Sequence, residues 1–291
     1  MTKAFKCAKC EDTGYHRYDA NHSKPCDACC PHDRGWYELK QDFGDNNGKY
    51  ACMRGCGYII TPEQKVIYDV RGCIQTYTGV MFDPLKPDIN KIYLLDIAHA
   101  LALTCRYAGH CLRPYSVAEH GVHVARVVRK RGGDVWQQLD AILHDTPEAY
   151  LQDLVSPVKR RLRGYADFED VLTTVIYHKY FVRPYAGMAD LVQEVDYGIL
   201  SDEAAQNMSP PERPWTDLGK TQGVKLRYWG PTRAKFEFLS ELVRLLVVTG
   251  VAPNYVNLST AFARPGHKLR MVDRMIVSYL QWRSRFWSSL H

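Results

Sequence analysis

The sequence predicts a mainly α-helical protein carrying a small cysteine-built module at its amino-terminal end. Three observations lead there. From about Cys73 to Gly250 apolar residues recur at helical spacing behind recognisable caps, and alternating strand runs are few. Seven of the ten cysteines fall in residues 1–57, which hold only five residues of Leu, Ile, Val, Met and Phe together. Such a stretch is too poor in apolar surface to fold around a core of its own. The expected organisation is a zinc-binding module over 1–60, a helical domain over 73–250 and a basic extension over 251–291.

In the module, Cys7-x2-Cys10 and Cys26-x2-Cys29 are separated by 15 residues, the spacing of a four-thiolate zinc site. Two thiolates on one tight turn can reach one ion, and two such turns complete a tetrahedron. Zinc binding worth roughly 10–16 kcal/mol can fold a segment that lacks a core. Cys30 and His32 could substitute in the second turn, and Cys52-x3-Cys56 resembles half of a further knuckle. A short connector marked by Thr61-Pro62 follows.

In the helical domain, Ser116-Val-Ala-Glu119 reads as a capping box. Val117, His120, Val124, Val127 and Val128 continue that helix until Gly132-Gly133 stops it. Asp134 caps a second helix with Trp136, Leu139, Ile142 and Leu143 on its apolar face. Phe168, Leu172, Val175 and Ile176 mark a third; Val192, Val195, Ile199 and Leu200 a fourth; Phe236, Leu239, Leu242, Val243 and Leu246 a fifth. The extension closes with one more helix, whose stripe of Val272, Met275, Ile276, Tyr279, Trp282 and Phe286 can bury against this chain or a second subunit.

The composition, 46% apolar and 24% charged, excludes wholesale disorder, collagen-like fibre and a pure coiled coil. No apolar run approaches the roughly 18 to 20 residues that cross a bilayer. No apolar stretch follows the first seven residues either, so a cytoplasmic, membrane-free protein is expected, with its cysteines as thiols or metal ligands. Of the net charge of +6, residues 251–291 hold six Lys/Arg against one Asp/Glu. The body is electrically balanced, and only this tail is suited to an acidic partner.

The chemistry is expected within 73–200. His120 lies on the apolar side of its helix, His144-Asp145 ends the apolar run Ala141-Ile142-Leu143, and Asp196 leans toward a buried face between Val192 and Ile199. Burying a lone carboxylate is costly, and metal coordination is the usual remedy. Four N/O ligands with positions left for water describe a catalytic metal site.

These residues resemble the H…HD…D pattern of the HD-domain metal-dependent phosphohydrolases, and the surrounding text is more specific. Cys73-Ile-Gln-Thr-Tyr-Thr-Gly79, Asp96-Ile-Ala-His-Ala-Leu101, Cys105-Arg-Tyr-Ala-Gly-His110, Tyr115-Ser-Val-Ala-Glu-His120 and Leu143-His-Asp-Thr-Pro-Glu-Ala-Tyr150 are similar to the phage dATP triphosphohydrolase and bacterial 5'-deoxynucleotidase group. Trp229-Gly-Pro and Ala234–Leu246 resemble that group's closing helix. The likeness covers roughly 73–248 and implies an HD-domain helical bundle.

It also implies that His120, His144, Asp145 and Asp196 hold a divalent zinc, cobalt, manganese or magnesium ion. Glu148 takes the place of the acidic group that orients or deprotonates water, and Asp153 that of a second carboxylate near the substrate. Arg106 matches a phosphate-contacting arginine and Lys159 a phosphate-binding lysine; Arg113 and Tyr115 could line the pocket. One departure is Gln193, where the group often has lysine. The expected reaction is release of deoxynucleoside and triphosphate from a dATP-like substrate by a homo-oligomer, in a host cytoplasm if phage-encoded. The alternatives are a 5'-deoxynucleotidase acting on monophosphates, or a zinc-bearing nucleic-acid-binding protein with a non-catalytic HD scaffold.

Overall fold

The structure is a computed structural model and describes residues 36–38, 50–52, 59–60, 72–180, 188–216, 218–250, 262–264 and 266–288. The chain divides into two compact units, Met1–Arg71 and Gly72–His291. In the first, β1 (Trp36–Glu38), β2 (Tyr50–Cys52) and β3 (Ile59–Ile60) form an antiparallel sheet, with Trp36 opposite Cys52 and Tyr50 opposite Ile60. The expected zinc ligands Cys7, Cys10, Cys26 and Cys29 lie outside the described residues.

The second unit is mainly helical. It opens with the hairpin β4 (Ile74–Gln75) and β5 (Met81–Phe82), tied to α1 (Leu94–Leu103) by a buried carboxylate. Asp96 accepts hydrogen bonds from the Thr78 amide at 2.6 Å and from the hydroxyls of Thr76 and Thr78 at 2.9 and 2.8 Å. There follow α2 (Val117–Lys130), α3 (Val135–Leu143), α4 (Glu148–Leu151), α5 (Ser156–Lys159), α6 (Tyr165–Tyr180), α7 (Asp190–Asn207), α8 (Pro231–Val248) and α9 (Met271–Ser288).

The cap at Ser116 is half of what the sequence suggests. Its hydroxyl accepts from the Glu119 amide at 3.2 Å, but the Glu119 carboxylate turns away to the loop before α8. The complete capping box is at Asp134, which exchanges hydrogen bonds with Gln137 at 2.8 and 2.9 Å. Gly132, at φ +84°, ends the α2 turn in the left-handed conformation that glycine adopts without strain.

Helix α2 packs against α3, α7 and α8, and α3 packs against α7 and α8. The core that these helices form with α1 includes Leu95, Val124, Val128, Leu139, Ile142, Val195, Ile199, Phe238 and Leu242, all buried. Each such side chain contributes roughly 1.5–3 kcal/mol on burial. The loop before α8 lies tight on α7 at Gly198, where a Cβ would come within 2.4 Å of the Lys220 carbonyl oxygen. Within α6 the expected apolar face is narrower than its spacing suggests: Leu172 and Ile176 are buried, whereas Phe168 is 39% exposed.

The last helix belongs to this unit and packs on α8. Ile276, Val277 and Leu280 are its buried apolar residues, and Asp273 pairs with Lys235 on α8 while accepting from the Tyr77 hydroxyl at 2.5 Å. Of the expected stripe, Val272, Met275, Tyr279 and Trp282 are exposed, Met275 by 66% and Trp282 by 61%. Among the described residues, no helix is long and apolar enough to cross a membrane.

Candidate metal centre

The packing of α2, α3 and α7 brings together one residue from α2, two from the end of α3 and one from α7. His120 is fully buried, and its Nδ1 lies 2.7 Å from Glu203 Oε1. A carboxylate accepts, so Nδ1 carries the proton and Nε2 presents its lone pair. His144, at the carboxyl end of α3, is fixed the same way, its Nδ1 donating to the Ala141 carbonyl at 2.8 Å.

Both Nε2 atoms therefore point lone pairs at carboxylate oxygens. His120 Nε2 is 2.9 Å from Asp196 Oδ1 and 3.6 Å from Asp145 Oδ2; His144 Nε2 is 3.1 Å from Asp145 Oδ2 and 3.9 Å from Asp196 Oδ1. Despite these distances, both nitrogens are buried with no well-directed hydrogen bond. Ligand atoms of His120, His144 and Asp145 all lie within 4.8 Å of one another. Lone pairs facing lone pairs call for a cation at their centre, and a divalent ion with N/O ligands fits this donor set.

The electrostatics agree. Burial opposes charge on His144, yet the Asp145 carboxylate raises its pKa to about 9. Burial likewise opposes ionisation of Asp145, and the adjacent His144 overrides it and holds the carboxyl far below the usual range. The raised imidazole pKa means that a proton on His144 Nε2 can fill the place between imidazole and carboxylate that a divalent ion would otherwise take.

Sequence reasoning overlooked Glu203. Wholly buried, it contacts His120 Nδ1, accepts from Arg106 Nε at 3.2 Å and accepts from the Tyr107 hydroxyl. Burial pushes its pKa up, but Arg106 and His120 hold it at about 2. The available signal is its place on α7 seven residues after Asp196, two turns along the same face.

The remaining expected residues fall into two groups. Arg106 Nη1 lies 3.4 Å from Asp145 Oδ2, and Glu148, whose amide donates to the Asp145 carbonyl at 3.1 Å, is buried with Oε2 unpartnered. Burial, then Asp145 and Asp153, push the Glu148 carboxyl well above its ordinary value. Asp153 is raised mainly by burial and feels Arg106, Asp145 and His120; it follows Gln152, a non-glycine residue at φ +71°. These residues surround the centre.

Lys159 instead pairs with Glu169 at 2.5 Å, though Glu148 feels its charge. The Arg113 guanidinium sits 3.9 Å from the Tyr228 ring centroid. It lines a cavity of about 330 Å³ with Cys105, Tyr115 and Trp229. Tyr115 is buried in that wall, and burial, then Glu203, raise its hydroxyl pKa.

No protein-family profile matches the chain. It is 35% identical over 130 residues to the uncharacterized protein YfdR of Escherichia coli, an alignment spanning 45% of this chain and 69% of YfdR. It is 36% identical over 109 residues to an uncharacterized protein of Rhodobacter capsulatus, spanning 35% of this chain and 55% of that protein.

Proposed function

This chain belongs to the protein family that includes YfdR, and we propose that it is a metal-dependent phosphohydrolase of the HD type acting on 2'-deoxynucleotides. The observation that carries the reading is the convergence of His120, His144 and Asp145 ligand atoms within 4.8 Å, with Asp196 beside them. The H…HD…D pattern and the flanking motifs give the substrate class.

A divalent ion held by these four residues would supply a water of lowered pKa and polarise a phosphoryl oxygen. The protein's own groups do the rest. Glu203 fixes the His120 ring in the tautomer that leaves Nε2 free, and the Ala141 carbonyl does so for His144. Arg106 holds the Asp145 carboxylate in place. Glu148 Oε2, one turn from Asp145 and unpartnered, is our candidate to take the proton of the attacking water, since a bound cation would draw its raised carboxyl back toward the ionised form. Asp153, buried and within electrostatic reach of Arg106 and Asp145, is our candidate to protonate the leaving 5' oxygen.

The disposition of the cations favours the monophosphate branch. A triphosphate brings about four negative charges and asks for several unoccupied cations. Here Lys159 is paired with Glu169, Arg113 rests on Tyr228, and Arg106 is shared between two carboxylates. A panel of deoxynucleoside mono- and triphosphates, assayed by product identity, tests both levels. Orthophosphate with deoxynucleoside supports the monophosphate branch, and deoxynucleoside with triphosphate supports the other. Absence of turnover with every divalent ion rejects the hydrolase reading.

We also propose a structural zinc on Cys7, Cys10, Cys26 and Cys29, supported by their paired spacing. Metal analysis of the purified protein finds tightly held zinc if this is correct and none if it is not.

A further inference from the structure

Cys105 and Cys111 are free thiols six residues apart whose Sγ atoms are 3.5 Å from each other, and both are half-buried. They bracket the segment that delivers Arg106 and Tyr107 to Glu203. Between them Tyr107, Ala108 and Gly109 stand at φ +60°, +51° and +80°. Two non-glycine residues in the left-handed region are a strained arrangement, so this turn is held by its anchors rather than by local preference. The anchors are the Arg106 amide on the Tyr115 carbonyl at 2.9 Å, the Leu112 amide on the Asn207 carbonyl at 2.8 Å, and the two side chains on Glu203.

We propose that Cys105 and Cys111 form a reversible disulfide by exchange with a low-molecular-weight disulfide of the glutathione type, and that closing it withdraws Arg106 from Asp145 and Glu203. Access favours Cys105 as the first nucleophile, because it lines the cavity of about 330 Å³ beside the Arg113 cation. Its thiolate attacks one sulfur of the incoming disulfide, and one glutathione thiolate leaves and takes up a proton. The Cys111 thiol, pushed up by burial and by its neighbour Cys105, then acts as the resolving group. It loses its proton, attacks the Cys105 sulfur of the mixed disulfide and expels the second glutathione. Two protein thiols are oxidised by two electrons, and one external disulfide becomes two thiols.

Bonding draws the sulfurs from 3.5 Å to about 2.05 Å. Arg106 adjoins Cys105, so whatever part of the contraction the cysteine side chains do not absorb by rotation reaches the Arg106 contacts. The bond itself requires nothing of the hydrolase reading, whereas its effect on metal retention rests on that reading.

The full-length, metal-loaded protein is incubated with oxidised glutathione, alkylated, digested and examined by mass spectrometry, with hydrogen exchange over 105–112 and metal competition in parallel. The expected result is a Cys105–Cys111 cross-link that reduction reverses, altered exchange in the segment, and metal affinity lower by roughly tenfold, the scale of disturbing groups that orient ligands. In Cys111→Ser, glutathione should remain attached to Cys105 and no cross-link form. Both thiols recovered alkylated, or cross-links only to other cysteines, overturn the proposal, as does a cross-link that leaves exchange over 105–112 unchanged. If the reduced protein holds no metal at His120, the hydrolase reading fails, and the cross-link and exchange still decide the disulfide.

Discussion

Glu119 and Glu203 are both completely buried carboxylates beside His120, yet they are satisfied in opposite ways. Glu119 accepts chiefly from three consecutive backbone amides, Arg227 at 2.6 Å, Tyr228 at 2.9 Å and Trp229 at 2.6 Å, with His123 Nε2 farther off at 3.4 Å. Glu203 is met by side chains alone, those of Arg106, Tyr107 and His120. Main-chain donors cannot titrate or depart, so the first arrangement locks a loop, holding Tyr228 at φ +53°. Side-chain donors are themselves connected to the centre, so the second passes position from Arg106 to His120. A buried charge is thus a rivet in one place and a linkage in the other.

The sharpest way to expose that contrast begins at the centre itself. Asp145→Ala removes a proposed metal ligand and the partner of Arg106 and His144 together, and loss of both bound metal and turnover is expected in metal analysis and product assays. Glu148→Gln comes next: metal content should stay as in the parent while turnover drops by roughly 10²-fold or more. Full turnover in that variant would remove Glu148 from proton transfer.

Glu203→Gln keeps the shape but weakens the hold on His120. Metal affinity should fall by about 10–100-fold, measured by chelator competition, with thermal stability less affected. Glu119→Gln should do the reverse. It removes charge-assisted hydrogen bonds worth about 1.5–3 kcal/mol each before compensation, so denaturant midpoints drop while metal affinity stays within about twofold. If both variants shift metal affinity equally, the distinction between rivet and linkage collapses.

The two carboxylates share one smaller consequence. Burial works against ionisation of both, but Glu119 is held below 4.5 by His123 and the amides of Trp229 and Arg227, and Glu203 at about 2 by Arg106 and His120. The unfolded chain binds their protons first as acid is added. Their contribution to stability is therefore complete above about pH 4.5 and is lost as pH falls toward 2. Denaturation curves at about pH 6 and about pH 3 should separate in that direction.

Much of this was legible in the sequence where helical spacing and burial coincide. His120 between Val117 and Val124, and Asp196 between Val192 and Ile199, reveal their inward faces by periodicity alone. Glu203 does not, because it lies in the polar-looking run Ser201-Asp202-Glu203 and is buried only once the Cys105–Cys111 segment folds over it. Glu119 fits a capping-box pattern, and nothing local announces that three distant amides compete for its side chain. Arg113 and Lys159 are cations of the right type near the right motifs, but each is claimed by a partner, Tyr228 or Glu169, that spacing does not reveal.

The pairing of Lys235 with Asp273 sets a limit on how far the chain can be shortened. Asp273 is the sole acidic residue after Gly250, and it is spent inside, against a lysine on α8 and the Tyr77 hydroxyl. Cutting after Gly250, where the charge and composition change, would strand a buried ammonium and uncover the α8 surface that Ile276, Val277 and Leu280 protect. Removing one partner of a buried pair costs about 3–5 kcal/mol, a large share of a domain's stability. The smallest self-sufficient piece of this unit therefore runs past Leu280, and the basic tail is part of its foundation.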